Sequence, residues 1–178
     1  MPIPTLRDLL QELDRAHAYT EDVRDGLTPD QIAWRPGAES SSIGWHLGHQ
    51  GAVAHYMLRN LTAAEPRIDA ELEALADSAT PEVDRGAFPS LDRILDYRAQ
   101  VAERIRYQIG RIDDGAVGAP AQLRLVATNL LVALVNHEYQ HSTWMNELRT
   151  DTFELDAPPL PTSPWLHVVD GYVVLLAS

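Results

Sequence analysis

Residues 137 to 141 read His-Glu-Tyr-Gln-His, within the run NLLVALVNHEYQHSTWMNELR. On a helix, side chains four residues apart rise on one face about 6 Å from each other, so both imidazoles can share one metal ion at about 2.1 Å from each nitrogen. This is also the spacing of a metallopeptidase zinc motif, in which Glu138 would be the general base and a third ligand would follow downstream. Downstream stand Glu147, Glu154, Asp156 and His167, but no further helix of useful length, and no substrate-binding sheet precedes the motif. A third ligand is better sought upstream. Glu138 lies one step round from His137, where it can hydrogen-bond a ligand, line a pocket or assist as a catalytic carboxylate; a solvated or structural role competes on equal terms.

His137 and His141 interrupt a stripe otherwise made of Leu and Trp. A lone histidine on such a stripe is most simply a hydrogen-bonded core residue, since a buried nitrogen without a partner costs about 1–3 kcal/mol. Two in register change the balance, because one metal satisfies both. Upstream, the segment WHLGHQGAVAHYML carries His46, His49 and His55. His49 shares a face with Trp45 and Val53, one helical repeat before Tyr56, and His46 lies within about 60° of it around the axis. Phase alone therefore prefers His49 only modestly. His55 falls off that face and reads as a surface residue, His17 as a core or rim residue, and His167 as structural. Three neutral imidazoles leave a coordination position for water or substrate, as in a catalytic rather than a closed structural site. They accept zinc, nickel, iron or copper, and the ion would lower the pKa of a bound water or thiol or hold a carbonyl.

Four long amphipathic segments are available to position these residues. From Thr5 to about Gly26, Leu6, Leu10, Leu13 and His17 follow helical spacing, with Thr5 and Asp8 as a capping box and Gly26 as terminator. A capped connector at Thr28 to Gly37 leads to a second helix, IGWHLGHQGAVAHYMLRNL, capped by Ser41 or Ser42 and containing glycines that permit close packing. Residues 61 to 89 are the least regular, with a minor helix around Asp69 to Asp77, and suit a long crossing connection. Ser90 caps a third helix whose stripe holds Leu91, Ile94, Val101, Ile105, Ile112 and also Arg98. The fourth runs from about Pro120 to Arg149 with Leu123, Leu130, Leu134, His137, His141, Trp144 and Leu148 on its seam. After APPLPTSP, two β-rich runs flank Asp170-Gly171, the dipeptide preferred in type I′ hairpins. The expected fold is all-α: a four-helix bundle over residues 1–150 with a long crossover connection, and a small C-terminal β-hairpin within 151–178 that belongs to the same domain. An isolated hairpin is marginal in water, so it must pack on its own bundle or on a second subunit.

The formal net charge is −12 and all basic residues are Arg, which speaks against a nucleic-acid partner. With no Cys, any sulfur chemistry must come from a substrate. The first residues turn amphipathic and charged at once, unlike a signal peptide, and the longest apolar stretch falls far short of the roughly 20 residues that cross a bilayer. A cytoplasmic protein without a membrane span is expected.

The combination SSIGWHLGHQGAVAHYML, LDYRAQVAERI and HEYQHSTWMNELR, over roughly residues 5 to 150, resembles the DinB/YfiT-like superfamily of metal-binding four-helix bundles. It looks closest to the branch that includes the N-terminal domain of ergothioneine-pathway sulfoxide synthases, where WxLAH and HxxQH segments are typical. The resemblance implies one divalent metal, zinc, nickel or iron, held by His49, His137 and His141, and it is this that selects His49 over His46. It also implies a homodimer and a reaction with a low-molecular-weight thiol as cosubstrate. The large catalytic domain of the sulfoxide synthases has no counterpart here, so sulfoxide formation is not inferred.

The leading expectation is a metal-dependent thiol S-transferase acting on a small molecule, with Arg98 pairing an anionic group and Trp45 and Tyr56 as pocket walls. The alternatives are a metal-dependent hydrolase in which Glu138 assists a metal-bound water, and a non-enzymatic, metal-stabilised binding or stress module.

Overall fold

A computed structural model describes residues 3–63, 65–81 and 88–176. Four long helices and a C-terminal two-stranded hairpin make the chain mostly helical, as expected: α1 (Leu6–Arg24), α3 (Ile43–Leu61), α5 (Leu91–Asp113) and α6 (Pro120–Glu147), with short α2 (Pro29–Ala33) and α4 (Ala70–Leu75) between them. The chain forms two compact units, Met1–Asp25 with Arg106–Ser178, and Gly26–Ile105. Among the described residues no helix is long and apolar enough to cross a membrane.

In the first unit, Thr5 and Asp8 form the expected capping box: the Thr5 hydroxyl accepts from the Asp8 N–H at 3.2 Å and the Asp8 carboxylate accepts from the Thr5 N–H at 2.8 Å. Such a cap contributes about 1 kcal/mol. The helix stops before Gly26, whose φ of 75° is a left-handed conformation open to glycine at little cost. α1 packs on α6, and its Leu9, Leu13, Ala16 and Val23 are all buried. Thr20 meets Glu138 and Ser142, and one helical turn further on Arg149 donates to the Val23 carbonyl at 3.0 Å, so the two helices run in the same direction.

The seam expected on α6 is only part of its buried surface. Leu130, Leu134 and His141 are buried, but so are Ala127, Leu131, Val135, Glu138, Tyr139, Ser142 and Met145. This second face includes Thr20's partners, and its polar members hid it from a search for one apolar stripe. Beyond Glu147 the helix loosens into a π-helical turn, Leu148–Thr152.

The hairpin pairs β1 (Leu166–Val169) with β2 (Tyr172–Leu175) antiparallel, and both turn residues, Asp170 and Gly171, have positive φ as a type I′ turn requires. It packs on its own α6. Val173 and Leu175 are buried, and the Asn136 amide accepts from the Leu175 N–H at 2.6 Å and donates to the Leu175 carbonyl at 3.3 Å. One side chain thus takes the place of a third strand. Asn136→Ala leaves that N–H and carbonyl unpaired, an expected loss of about 1–3 kcal/mol. Hydrogen exchange checks this: the Leu175 amide should exchange faster, and unchanged protection would contradict the role.

In the second unit, Ser42 is the cap of α3, its hydroxyl accepting from the Trp45 N–H at 3.1 Å. The glycines of α3 do permit close packing: a Cβ on Gly48 would lie 2.5 Å from the Phe88 ring, and one on Gly51 would lie 3.0 Å from Tyr97. His55, read from phase as a surface residue, is fully buried. The cause is α4, which packs on α3 and brings the Glu73 carboxylate to 2.7 Å from His55 Nδ1, with the Tyr97 hydroxyl 3.4 Å from the same oxygen.

Tyr97 is buried beside that carboxylate, and both effects push its phenol well above the ordinary tyrosine range, burial foremost. A phenol whose pKa is raised by folding contributes stability that is intact below its unfolded pKa of about 10 and is lost as pH rises above it. Melting temperature should therefore fall between pH 9 and 11, and less steeply in Tyr97→Phe. Parallel profiles would show that Tyr97 is not the group responsible.

Candidate metal centre

α6 carries the first two candidate ligands. His137 and His141, one turn apart, have ring centroids separated by 4.4 Å with planes at 55°. His141 is buried and meets Trp144 edge-on at 4.9 Å; His137 is half-buried. The helical repeat alone produces this pair, and the aromatic neighbour limits the rotation of one ring.

The third candidate is held on α3 by the end of α4. The last carbonyls of a helix have no intrahelical donor. Here the Trp45 indole N–H donates to Leu75 O at 3.3 Å, and His49 Nδ1 lies 2.7 Å from Ala76 O. A carbonyl can only accept, so Nδ1 carries the proton, and the lone pair of the neutral ring is on Nε2. A partner of this kind fixes the tautomer and orientation of a metal-ligating histidine. Trp45 adds a stacked contact, 4.6 Å between centroids with planes at 12°. His49 is 6% exposed.

One ring nitrogen from each of His49, His137 and His141 lies within 4.8 Å of the other two. Nitrogens sharing a tetrahedral ion at about 2.1 Å stand about 3.4 Å apart. The donor set fits: three imidazoles, two of them buried, one with its tautomer fixed by a backbone carbonyl. It suits a borderline divalent ion such as zinc, nickel or iron.

The other sequence candidates are placed differently. His46 is buried edge-on against Trp45 at 5.4 Å and stands outside the three-histidine group. His167 is exposed on β1. Glu138 is buried rather than solvated: its carboxylate accepts from the Thr20 hydroxyl at 2.6 Å, and His17 Nε2 is 4.0 Å away. Arg98 donates to Leu47 O and to Gln50 Oε1, each at 3.0 Å, which ties its guanidinium to α3. Tyr56 is 65% exposed, yet it lines a cavity of about 770 Å³ whose wall also includes His49.

Sequence reasoning missed the Ala76 carbonyl and Thr20. A backbone carbonyl leaves no trace in residue type, but the Trp45/His49 pair at i, i+4, two ring N–H donors on one face, was a signal that an acceptor should face them. Thr20 lies four residues after Ala16, whose carbonyl its hydroxyl also contacts at 3.2 Å, and nothing in its local pattern points to Glu138.

No curated protein matches the chain. The family model of the DinB superfamily matches residues 12–145, which spans α3 and carries through to His141 and Trp144. Covering most of the chain, and with both histidine segments inside the match, this establishes that the protein belongs to the DinB superfamily.

Proposed function

We propose that the protein is a metal-dependent enzyme, a thiol S-transferase in which His49, His137 and His141 hold one divalent ion and a low-molecular-weight thiol is cosubstrate. The observation that carries the proposal is the convergence of the three ring nitrogens. A divalent ion held by them supplies Lewis acidity, which favours the thiolate over the thiol of a ligated cosubstrate. The rest falls to the chain. Ala76 O holds the His49 proton on Nδ1, Trp45 fixes the ring plane, and the cavity beside His49 offers a volume suited to a small molecule, where sites run roughly 300–1,000 Å³. Tyr56 serves as its outer wall. The hydrogen bond from Thr20 supports a positioning role for Glu138 more than that of a free base. A homodimer in the cytoplasm completes the proposal.

The test combines thermal shift and turnover. Metal-loaded protein should be stabilised by a small thiol, the same thiol should have no effect after chelation, and an electrophilic substrate should be consumed only with thiol present. Ester or amide turnover without thiol would replace the proposal with a hydrolase, and metal-dependent stability without any ligand effect would replace it with a metal-stabilised binding module.

A further inference from the structure

The cavity that includes His49 is lined by α3, by α4 and the residues just after it, and by Arg67. Its apolar wall comes from Val53, Tyr56 and Met57, and two guanidinium groups, Arg59 and Arg67, stand on the same surface. Both approach a single carboxylate oxygen: Arg59 Nη1 is 4.0 Å and Arg67 Nε 3.7 Å from Glu73 Oε2. These are charge contacts too long for hydrogen bonds. The other Glu73 oxygen is committed to His55 at 2.7 Å.

Arg59 donates from Nε to the Glu65 carbonyl at 3.3 Å, and Arg67 makes no hydrogen bond to any described residue. The cavity's remaining carboxylate, Asp77, is exposed and accepts from the Ala79 N–H. Two planar donors thus share one partly engaged anion, with N–H groups to spare. Guanidinium geometry matches a carboxylate in a way that a point charge does not.

We propose that Arg59 and Arg67 form an anion subsite in this cavity, and that the ligand it takes is a small organic carboxylate with an apolar body lying along Val53, Tyr56 and Met57. As a substrate subsite this rests on the metal-enzyme proposal above. As a binding site it rests on the two arginines alone.

Hexanoate and hexan-1-ol, which share an apolar body and differ in charge, are the probes. They are titrated calorimetrically into full-length protein freed of metal by chelation, so that metal ligation by the carboxylate does not contribute. Hexanoate should bind about five- to tenfold more tightly than the alcohol, the range expected for partly exposed charge pairs. Arg67→Gln and Arg59→Gln should each remove most of that preference, and Arg124→Gln, outside the cavity, should leave it intact. Arg67 is 56% exposed, so its substitution does not threaten the fold. Equal binding of the two probes, no hexanoate binding, or a preference that survives both arginine substitutions would overturn the subsite. Zinc uptake is measured separately on the same proteins after the chelator has been removed. Full metal without carboxylate preference rejects the subsite alone, and carboxylate preference in a protein that takes up no metal rejects the metal-enzyme proposal alone.

Discussion

His141→Ala should weaken zinc binding by more than about a hundredfold. Substituting a residue that merely orients a metal-ligating histidine costs roughly 10- to 100-fold, and removing a ligand costs more. His141 is buried and one helical turn from His137, so the smaller side chain leaves two donors of the three. Two histidines cannot hold the ion as tightly, and no other His, Cys, Asp or Glu among the described residues joins the cluster to replace the third. His49→Ala and His137→Ala should behave alike, whereas His46→Ala, which removes a buried ring beside Trp45 but no member of the cluster, should keep wild-type affinity. Competition titration against a chromogenic chelator reads all four. Equal affinity of His46→Ala and His141→Ala variants, both weakened, would assign the loss to disturbed packing instead.

The second large effect concerns Glu138. Its carboxylate is buried against α1, where the Thr20 hydroxyl donates to it at 2.6 Å and the Ser142 hydroxyl lies 2.8 Å from that of Thr20. Glu138→Ala removes the acceptor and leaves a void, at an expected cost of about 2–3 kcal/mol, or roughly 4–12 °C in melting temperature for a chain of this size. Glu138→Gln keeps an oxygen for Thr20 and should stay within about 1 kcal/mol of the wild type. The amide cannot take up a proton, so the same variant separates two roles. Loss of a general base would lower turnover by about 10²- to 10⁴-fold in a protein of normal stability. The positioning role predicts less than about a tenfold change.

The fold was legible because local chemistry and long-range packing agree over most of the chain. The capping box at Thr5 and Asp8, the Asp170-Gly171 turn and the stripes of α1 and α5 each announce an element whose bounds the structure matches within a few residues. The histidine pair was legible for the same reason, since a repeat of four residues is a local property. What remained hidden depended on neighbours remote in sequence. His55 looked exposed by phase because nothing in α3 reveals that α4 covers it. Glu138 stayed undecided between a ligand partner, a pocket wall and a solvated residue because its partner, Thr20, lies at the other end of the chain. His49 stood only modestly ahead of His46 until the family resemblance chose it, since the deciding groups, the Leu75 and Ala76 carbonyls, belong to the irregular stretch between α3 and α5.

X-ray absorption at the zinc edge, on full-length protein loaded with one equivalent of zinc, reads the ligands of the ion themselves. Three imidazole nitrogens at about 2.0–2.1 Å are expected, with one further light ligand that exchanges for sulfur at about 2.3 Å when a small thiol is added. A shell of four protein ligands that thiol leaves unchanged, or a spectrum unaffected by His49→Ala, would contradict it.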